Sequence, residues 1–186
     1  MKAKWTIARL LAAGCFLGTT FTMALPAMAQ DTVVQEITGE DITASVASAV
    51  LDPLPYSNLQ QVNTGSLTLS VDDARGTSAG WSVQILSSDF VYQGTSVSGA
   101  DIPAANFSIT SSSAPALVSG QPIDATGGPY AVDDGALNVA VTTIGANPGF
   151  GSGSYTQDLD VSLIVPAQSQ TGLYQATLTV AISAAP

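Results

Sequence analysis

Apolar and polar residues alternate one for one through much of the chain, and this period of two constrains the fold more than any other feature. In "SLTLSV" Leu67, Leu69 and Val71 share one face and Ser66, Thr68 and Ser70 the other. "GWSVQI" sets Trp81, Val83 and Ile85 against Ser82 and Gln84, and "LNVAV" aligns Leu137, Val139 and Val141. "DLDVSLIV" aligns Leu159, Val161, Leu163 and Val165 opposite Asp158, Asp160 and Ser162. "YQATLTVAIS" places Tyr174, Ala176, Leu178, Val180 and Ile182 together. Successive side chains of a strand point to opposite faces, so each run has one apolar and one wetted side, as antiparallel sheets covering a core require. "TVVQEIT" and "ITASVASAV" add two expected strands further upstream; the apolar spacing of the second also fits a short helix.

Turn chemistry separates the runs. "DPLP" (52–55), "ATGGP" (125–129), "DDG" (133–135) and "NPGFGSGS" (147–154) supply Gly and Asn for positive φ and Pro for a fixed φ. Many short strands joined this way predict an all-β antiparallel fold, a β-sandwich or partly closed barrel. No repeat of fixed period is present. The Gly/Ser-rich segment 147–154 reads as a long loop, since half-buried strands are expected on both sides of it.

The first 29 residues stand apart. Lys2, Lys4 and Arg9 precede an apolar run from Leu10 to Leu25, and Ala27 and Ala29 end it in an A-x-A pattern. These are the parts of a secretory signal peptide, with cleavage expected after Ala29. "LAAGC" around Cys15 faintly resembles a lipoprotein site, but cleavage there leaves an apolar segment of only Leu10 to Gly14, below the usual length of about 7–15 residues. Residues 30–186 are then expected to form one domain. They contain Arg75 alone against fourteen Asp and Glu, a formal balance of −13, and no lysine, histidine or cysteine. Such acidity argues against nucleic acid and against electrostatic attachment to anionic lipid or teichoic acid. No insertion into the membrane is expected after processing. The last strand runs almost to Pro186, and no sorting signal or apolar tail is read after it.

The missing residue types also limit the chemistry. A serine nucleophile needs a base, usually His or Lys, and neither occurs after residue 29. Cysteine catalysis, His/Cys zinc sites and a Schiff-base lysine fall with them. A paired-carboxylate glycan hydrolase is the enzyme class left, with acids adjacent at Asp72/Asp73, Asp133/Asp134 and Asp158/Asp160. A single remaining tryptophan offers little sugar platform, and a non-enzymatic protein is expected. No cofactor is expected. Calcium is kept as a weak candidate at Asp133 and Asp134, where the turn preference of aspartate explains the same residues. Asn106-Phe107-Ser108 matches an N-glycosylation acceptor, a pattern common by chance.

The segment "SVDDARGTSAGWSVQI" (70–85) holds Arg75 and the only tryptophan after the leader, Trp81. Arg75 has carboxylates beside it at Asp72 and Asp73, and its planar fork can also bind carbonyls and pin the turn. Trp81 enters the next strand on the face of Val83 and Ile85, where the structural reading is a large core aromatic.

This stretch also resembles the WxL domain, a secreted bacterial surface module, whose members show an acid, "RG", small residues and "GW" with an apolar residue two further on. The matching positions are Asp73, Arg75-Gly76 and Gly80-Trp81-Ser82-Val83. The family ends with a tyrosine, an "LT" strand, a second W-x-L and a final proline; here "GLYQATLTVAISAAP" supplies Tyr174, Leu178-Thr179 and Pro186. With "GSGSYTQDLDVSLIVP" upstream, the resemblance covers most of residues 60–186. Val83 makes the first signature W-x-V, and Val180 and Ile182 stand at the second, which has lost its tryptophan. Val180 shares the apolar face of its strand with Tyr174 and Leu178, which favours packing; the lost ring is equally readable as part of a ligand site.

The resemblance implies a protein of the cell surface of Gram-positive and related bacteria, held non-covalently on the cell wall. Peptidoglycan or another wall glycan is the implied ligand, and a membrane-anchored, WxL-interacting surface protein a further partner. Asp73, Arg75, Trp81 and Tyr174 are the residues to test for contact, Arg75 first among them. The alternative is a structural subunit of a surface layer or fibre, assembled through β edges with few lysines to block them.

Overall fold

The computed structural model describes residues 35–47 and 50–184. The chain divides after Glu36, and the second unit, Ile37–Pro186, is compact. The expected leader lies outside the described residues. So do the first three residues of "TVVQEIT", and its described remainder, residues 35–38, carries no strand.

The second unit is built from β1 (Ile42–Val46), β2 (Gln61–Asp73), β3 (Trp81–Ser87), β4 (Val91–Tyr92), β5 (Phe107–Ser112), β6 (Ala116–Gly120), β7 (Tyr130–Ala131), β8 (Gly135–Ala136), β9 (Val141–Ala146), β10 (Gly153–Val165), β11 (Tyr174–Gln175) and β12 (Leu178–Ala184). One sheet runs β1-β2-β10-β5-β8, with β6 also paired to β10; another runs β12-β3-β9-β7; β11 and β4 form a small ribbon. All pairings are antiparallel. The two main sheets face each other across one apolar core, and β1 packs against β12 where their edges meet. The architecture is the expected all-β sandwich.

Parity explains which side chains fill the core. Leu67, Leu69 and Val71 of β2 are buried, as are Trp81, Val83 and Ile85 of β3 and Tyr155, Leu159, Val161 and Leu163 of β10. β2 and β10 pair along their full length, from Gly153↔Asp73 to Val165↔Gln61, so their inward residues stack in register. Two polar residues share that inward parity. Asp73 continues the line of Leu67, Leu69 and Val71 inward, and Gln157 continues that of Tyr155 and Leu159.

The structure departs from the expected pattern in three places. "LNVAV" is a turn followed by β9: Leu137 and Val141 are buried, but Val139 is 61 % exposed. The Leu137 N–H donates to Phe107 O and the Ser87 N–H to Leu137 O, which pin Leu137 inward without a strand. "YQATLTVAIS" breaks into β11 and β12 with different partners, β4 and β3. At the break the Thr177 N–H donates to Ser88 Oγ and the Ser88 N–H to Thr177 O. The Gly-rich loop is shorter than expected, because β10 already begins at Gly153.

Candidate functional site

The "DDARGTSAGW" segment becomes a tied crossover between the two sheets. Asp73 closes β2 with its side chain turned inward, 3 % exposed, so its carboxylate needs a partner. Arg75, two residues on, supplies it. Arg75 Nε donates to Asp73 Oδ1 at 2.8 Å, Nη2 to Asp73 Oδ2 at 3.0 Å, and the Arg75 N–H to Asp73 Oδ1 at 3.2 Å. This two-pronged pairing uses the planar guanidinium in a way lysine cannot. Nη2 also donates to Gly80 O at 3.0 Å and so spans the whole turn. Burial pushes the Asp73 carboxyl up, but the hydrogen bonds from the Arg75 side chain and N–H, with its charge, outweigh burial and hold it below the usual carboxylate range. The same pairing raises Arg75.

Glycines at the signature positions let the crossover close. Gly80 sits at φ +78, and a Cβ there meets Ala146 O and Pro148 N at 2.7 Å. Gly76 turns the chain at φ +69 in open space. Trp81 then enters the core, 2 % exposed, with Nε1 donating to Gly151 O at 2.9 Å. Gly151 (φ +81) admits this contact, since a Cβ there lies 2.7 Å from Nε1. Tyr155 lies beside the indole with ring centroids 6.3 Å apart, and its hydroxyl donates to Gln121 O at 2.7 Å. Burial and the Asp73 carboxylate raise its phenol. Sequence reasoning missed Tyr155, although its odd-numbered parity with Leu159 and Val161 signals an inward ring.

The structure thus joins Asp73, Arg75, Gly80 and Trp81, with Tyr155 as an unforeseen fifth member. Tyr174 is elsewhere. Trp81 pairs with Ala184 at one end of β12, and Tyr174 precedes Leu178 at the other, about 20 Å away by strand rise. Its ring packs on Tyr92 with centroids 5.2 Å apart, and its hydroxyl donates to Gln170 O at 2.9 Å. Burial first, then Tyr92 and Asp101, raise its phenol despite that bond. Leu178, Val180 and Ile182 are half-buried against the core; Thr179 points outward.

These four contact candidates therefore spend their polar groups inside the fold: Trp81 is enclosed, and Asp73 is satisfied by Arg75. Asp133 and Asp134 lie in an exposed turn where Ser112 Oγ donates to Asp134 Oδ1. Among the described residues, no group of three or more His, Cys, Asp or Glu is placed to hold a metal ion.

The accessible concavity lies on the outer face beside this crossover. A shallow groove of about 480 Å³ is lined by Gly39, Glu40, Asp41, Thr43, Asp72 and Ala74. It adjoins a second of about 300 Å³ that shares Thr43 and Asp72 and adds Ser45, Ser70, Ser154, Thr156 and Val118. The two run over β1, β2 and β10 toward β6. Ser154 Oγ donates to Asp72 Oδ1 at 2.6 Å, and Ser119 Oγ to Ser154 Oγ at 3.3 Å. The first groove offers hydroxyls and carboxylates and the second adds an apolar side at Val71, Val118 and Tyr155; with no Lys or Arg in either lining, they suit a neutral polyol or an amine-bearing ligand and disfavour an anion. This groove is invisible in the sequence, because its lining comes from separate strands.

Neither a curated protein nor a solved structure matches the chain. The model of one family, described as WxL domain surface cell wall-binding, matches residues 33–186. The match takes in the Asp73–Trp81 crossover, the groove and β12 together, and the chain belongs to the WxL domain family of surface cell-wall-binding proteins.

Proposed function

We propose that this protein is a non-enzymatic, secreted surface protein that associates non-covalently with the cell wall, with peptidoglycan as the ligand and the outer groove around Asp72 as the contact. The family match over residues 33–186 carries the reading. Several features support the groove over the tied crossover. Asp72, Thr43, Ser70 and Thr156 present oxygen groups to solvent on neighbouring strands, in the manner that hydrogen-bonds sugar hydroxyls and amide groups. Asp73, Arg75 and Trp81 act beneath it, fixing the ends of β2 and β3 so that the face above stays in register. Without a free cation in the groove, wall binding rests mainly on neutral hydrogen bonds to sugar hydroxyls and amides, which salt screens little, while the share from ligand amines on the carboxylates falls as salt rises. A membrane-anchored surface protein remains the second partner of this reading. Edge-to-edge assembly, the rival reading, has one observation on its side, the edge of β6 that no strand among the described residues covers.

The test is co-sedimentation of the full chain with purified peptidoglycan sacculi, at low and high salt. Retention in high salt, together with loss in a folded Asp72→Ala variant, supports the groove. Equal pelleting of wild type and Asp72→Ala places the contact elsewhere. No pelleting of a folded protein overturns wall glycan as the ligand.

A further inference from the structure

We propose that the free edge of β6 pairs with β6 of a second copy of this chain, antiparallel about a two-fold axis, to form a weak, closed dimer. This goes beyond the wall-binding reading and does not depend on it.

β6 is "ALVSG", and all five residues are exposed. One of its edges is taken by β10 over Gly153–Thr156. No other strand among the described residues pairs with it, so its outward N–H and C=O groups lack main-chain partners there. Leu117 is 42 % exposed and Val118 64 %, so apolar side chains flank the open edge on both faces. A strand edge of this kind is a template for a further strand unless charge, proline or cover protects it. The chain protects its other edges. β1 abuts β12. β7 and β8 are two residues each and flank Asp133 and Asp134. β6 has only a one-residue bulge, at Val118.

Charge selects the occupant. The surface is strongly acidic, and a basic partner would be drawn to Glu40, Asp41 and Asp72 across the groove, which β6 borders only through the uncharged Val118. Residues 102–123 carry no charge at all. Along this edge a second copy can approach with no carboxylate meeting its mate, and Asp72 stands two strands in, roughly 10 Å by strand spacing. Antiparallel self-pairing sets Val118 against Val118 of the partner, with Leu117 beside Ser119. A two-fold contact uses the same edge on both copies, so it closes at two and cannot propagate into a fibre. Five residues of edge make a small interface, which implies a weak complex. Net repulsion between two acidic bodies is screened by salt, so the dimer strengthens as salt rises.

Sedimentation velocity of the full chain over a wide concentration range, at low and high sodium chloride, tests this. The expected result is a reversible monomer–dimer shift that tightens with salt. Val118→Glu sets like charges opposite each other and weakens it by at least about tenfold. Leu117→Glu repeats the test from the neighbouring position. Val139→Glu adds the same charge on an exposed turn and leaves the dimer unchanged, with circular dichroism verifying the fold of each variant. A monomer at every concentration and salt, an equal effect of all three variants, or growth past the dimer overturns the proposal.

Discussion

β3 and β12 are hydrogen-bonded neighbours and carry the two signature positions of the family, yet they are held very differently. Trp81, Val83 and Ile85 are at most 2 % exposed, while their direct partners Ala184, Ile182 and Val180 are exposed or half-buried. The cause is position. β3 is flanked by β9 and β12, whereas β12 is the last strand of its sheet and finds only the edge of β1 beside it. A similar apolar pattern therefore yields a locked strand in the middle of the sheet and a looser one at its margin.

The largest expected effect tests the locked side. Trp81→Ala removes an enclosed indole and its bond to Gly151, and should cost about 4 kcal/mol, readable as the urea midpoint. Trp81→Phe, which keeps most of the volume but orphans Gly151 O, should cost less than half of that. Equal losses in the two would mean that the hydrogen bond, and not the packing, holds this end.

Next comes the pair beneath it. Arg75→Ala leaves the buried Asp73 carboxylate with only the main-chain N–H of residue 75 as a donor and should cost about 3 kcal/mol near neutral pH. The pH dependence sharpens the prediction. In the wild type the Asp73 pKa is depressed, so its contribution is present above about pH 4, the ordinary carboxylate value, and is lost as pH falls through the lower folded value. In the variant, burial is opposed only by the main-chain N–H of residue 75 and raises that pKa, so the penalty at neutral pH shrinks on acidification. The gap between the two proteins should therefore narrow from pH 7 to pH 3. A constant gap would show that Arg75 works through packing and its bond to Gly80 alone.

The readable part of this molecule was its parity. Leu67, Leu69 and Val71, like Leu159, Val161 and Leu163, occupy the core as their alternation requires, because long central strands are covered on one face throughout. Parity also holds for Asp73 and Gln157, but a polar residue on the apolar face reads as the end of a run, so their inward direction was missed. Val139 failed for the opposite reason: an apolar residue at the right spacing sits in a turn, where a bond to Phe107 O and one from the Ser87 N–H hold Leu137 alone. "FSITSS" and "ALVSG" gave too short or too mixed a pattern to be read as β5 and β6. The groove and the β6 edge are tertiary facts, arising because β10 offers one side to two successive strands.

A smaller effect compares the paired strands position by position. Val83→Ala, in the locked strand, should cost about 2 kcal/mol, and Val180→Ala, in the marginal one, less than about 1 kcal/mol. Similar costs in the two would mean that β12 is as well covered as β3, and that the contrast drawn from exposure does not extend to energy.

The smallest expected effect is the most informative about the second signature. Val180→Trp restores an aromatic at a half-buried place on the sheet margin, beside β1. A fully enclosed site would resist such an enlargement by about 1–3 kcal/mol, because its neighbours would have to leave their preferred rotamers. An open margin lets the ring lie along the seam between β12 and β1, covering Ile42 and Ala44, so stability should stay within about 1 kcal/mol of the wild type. Binding to sacculi then separates two roles for the position. A folded Val180→Trp that pellets like the wild type makes the site a packing position, at which valine with the neighbouring Ile182 suffices. Tighter pelleting at unchanged stability would extend the ligand contact from the groove around Asp72, over β1, to the seam at β12.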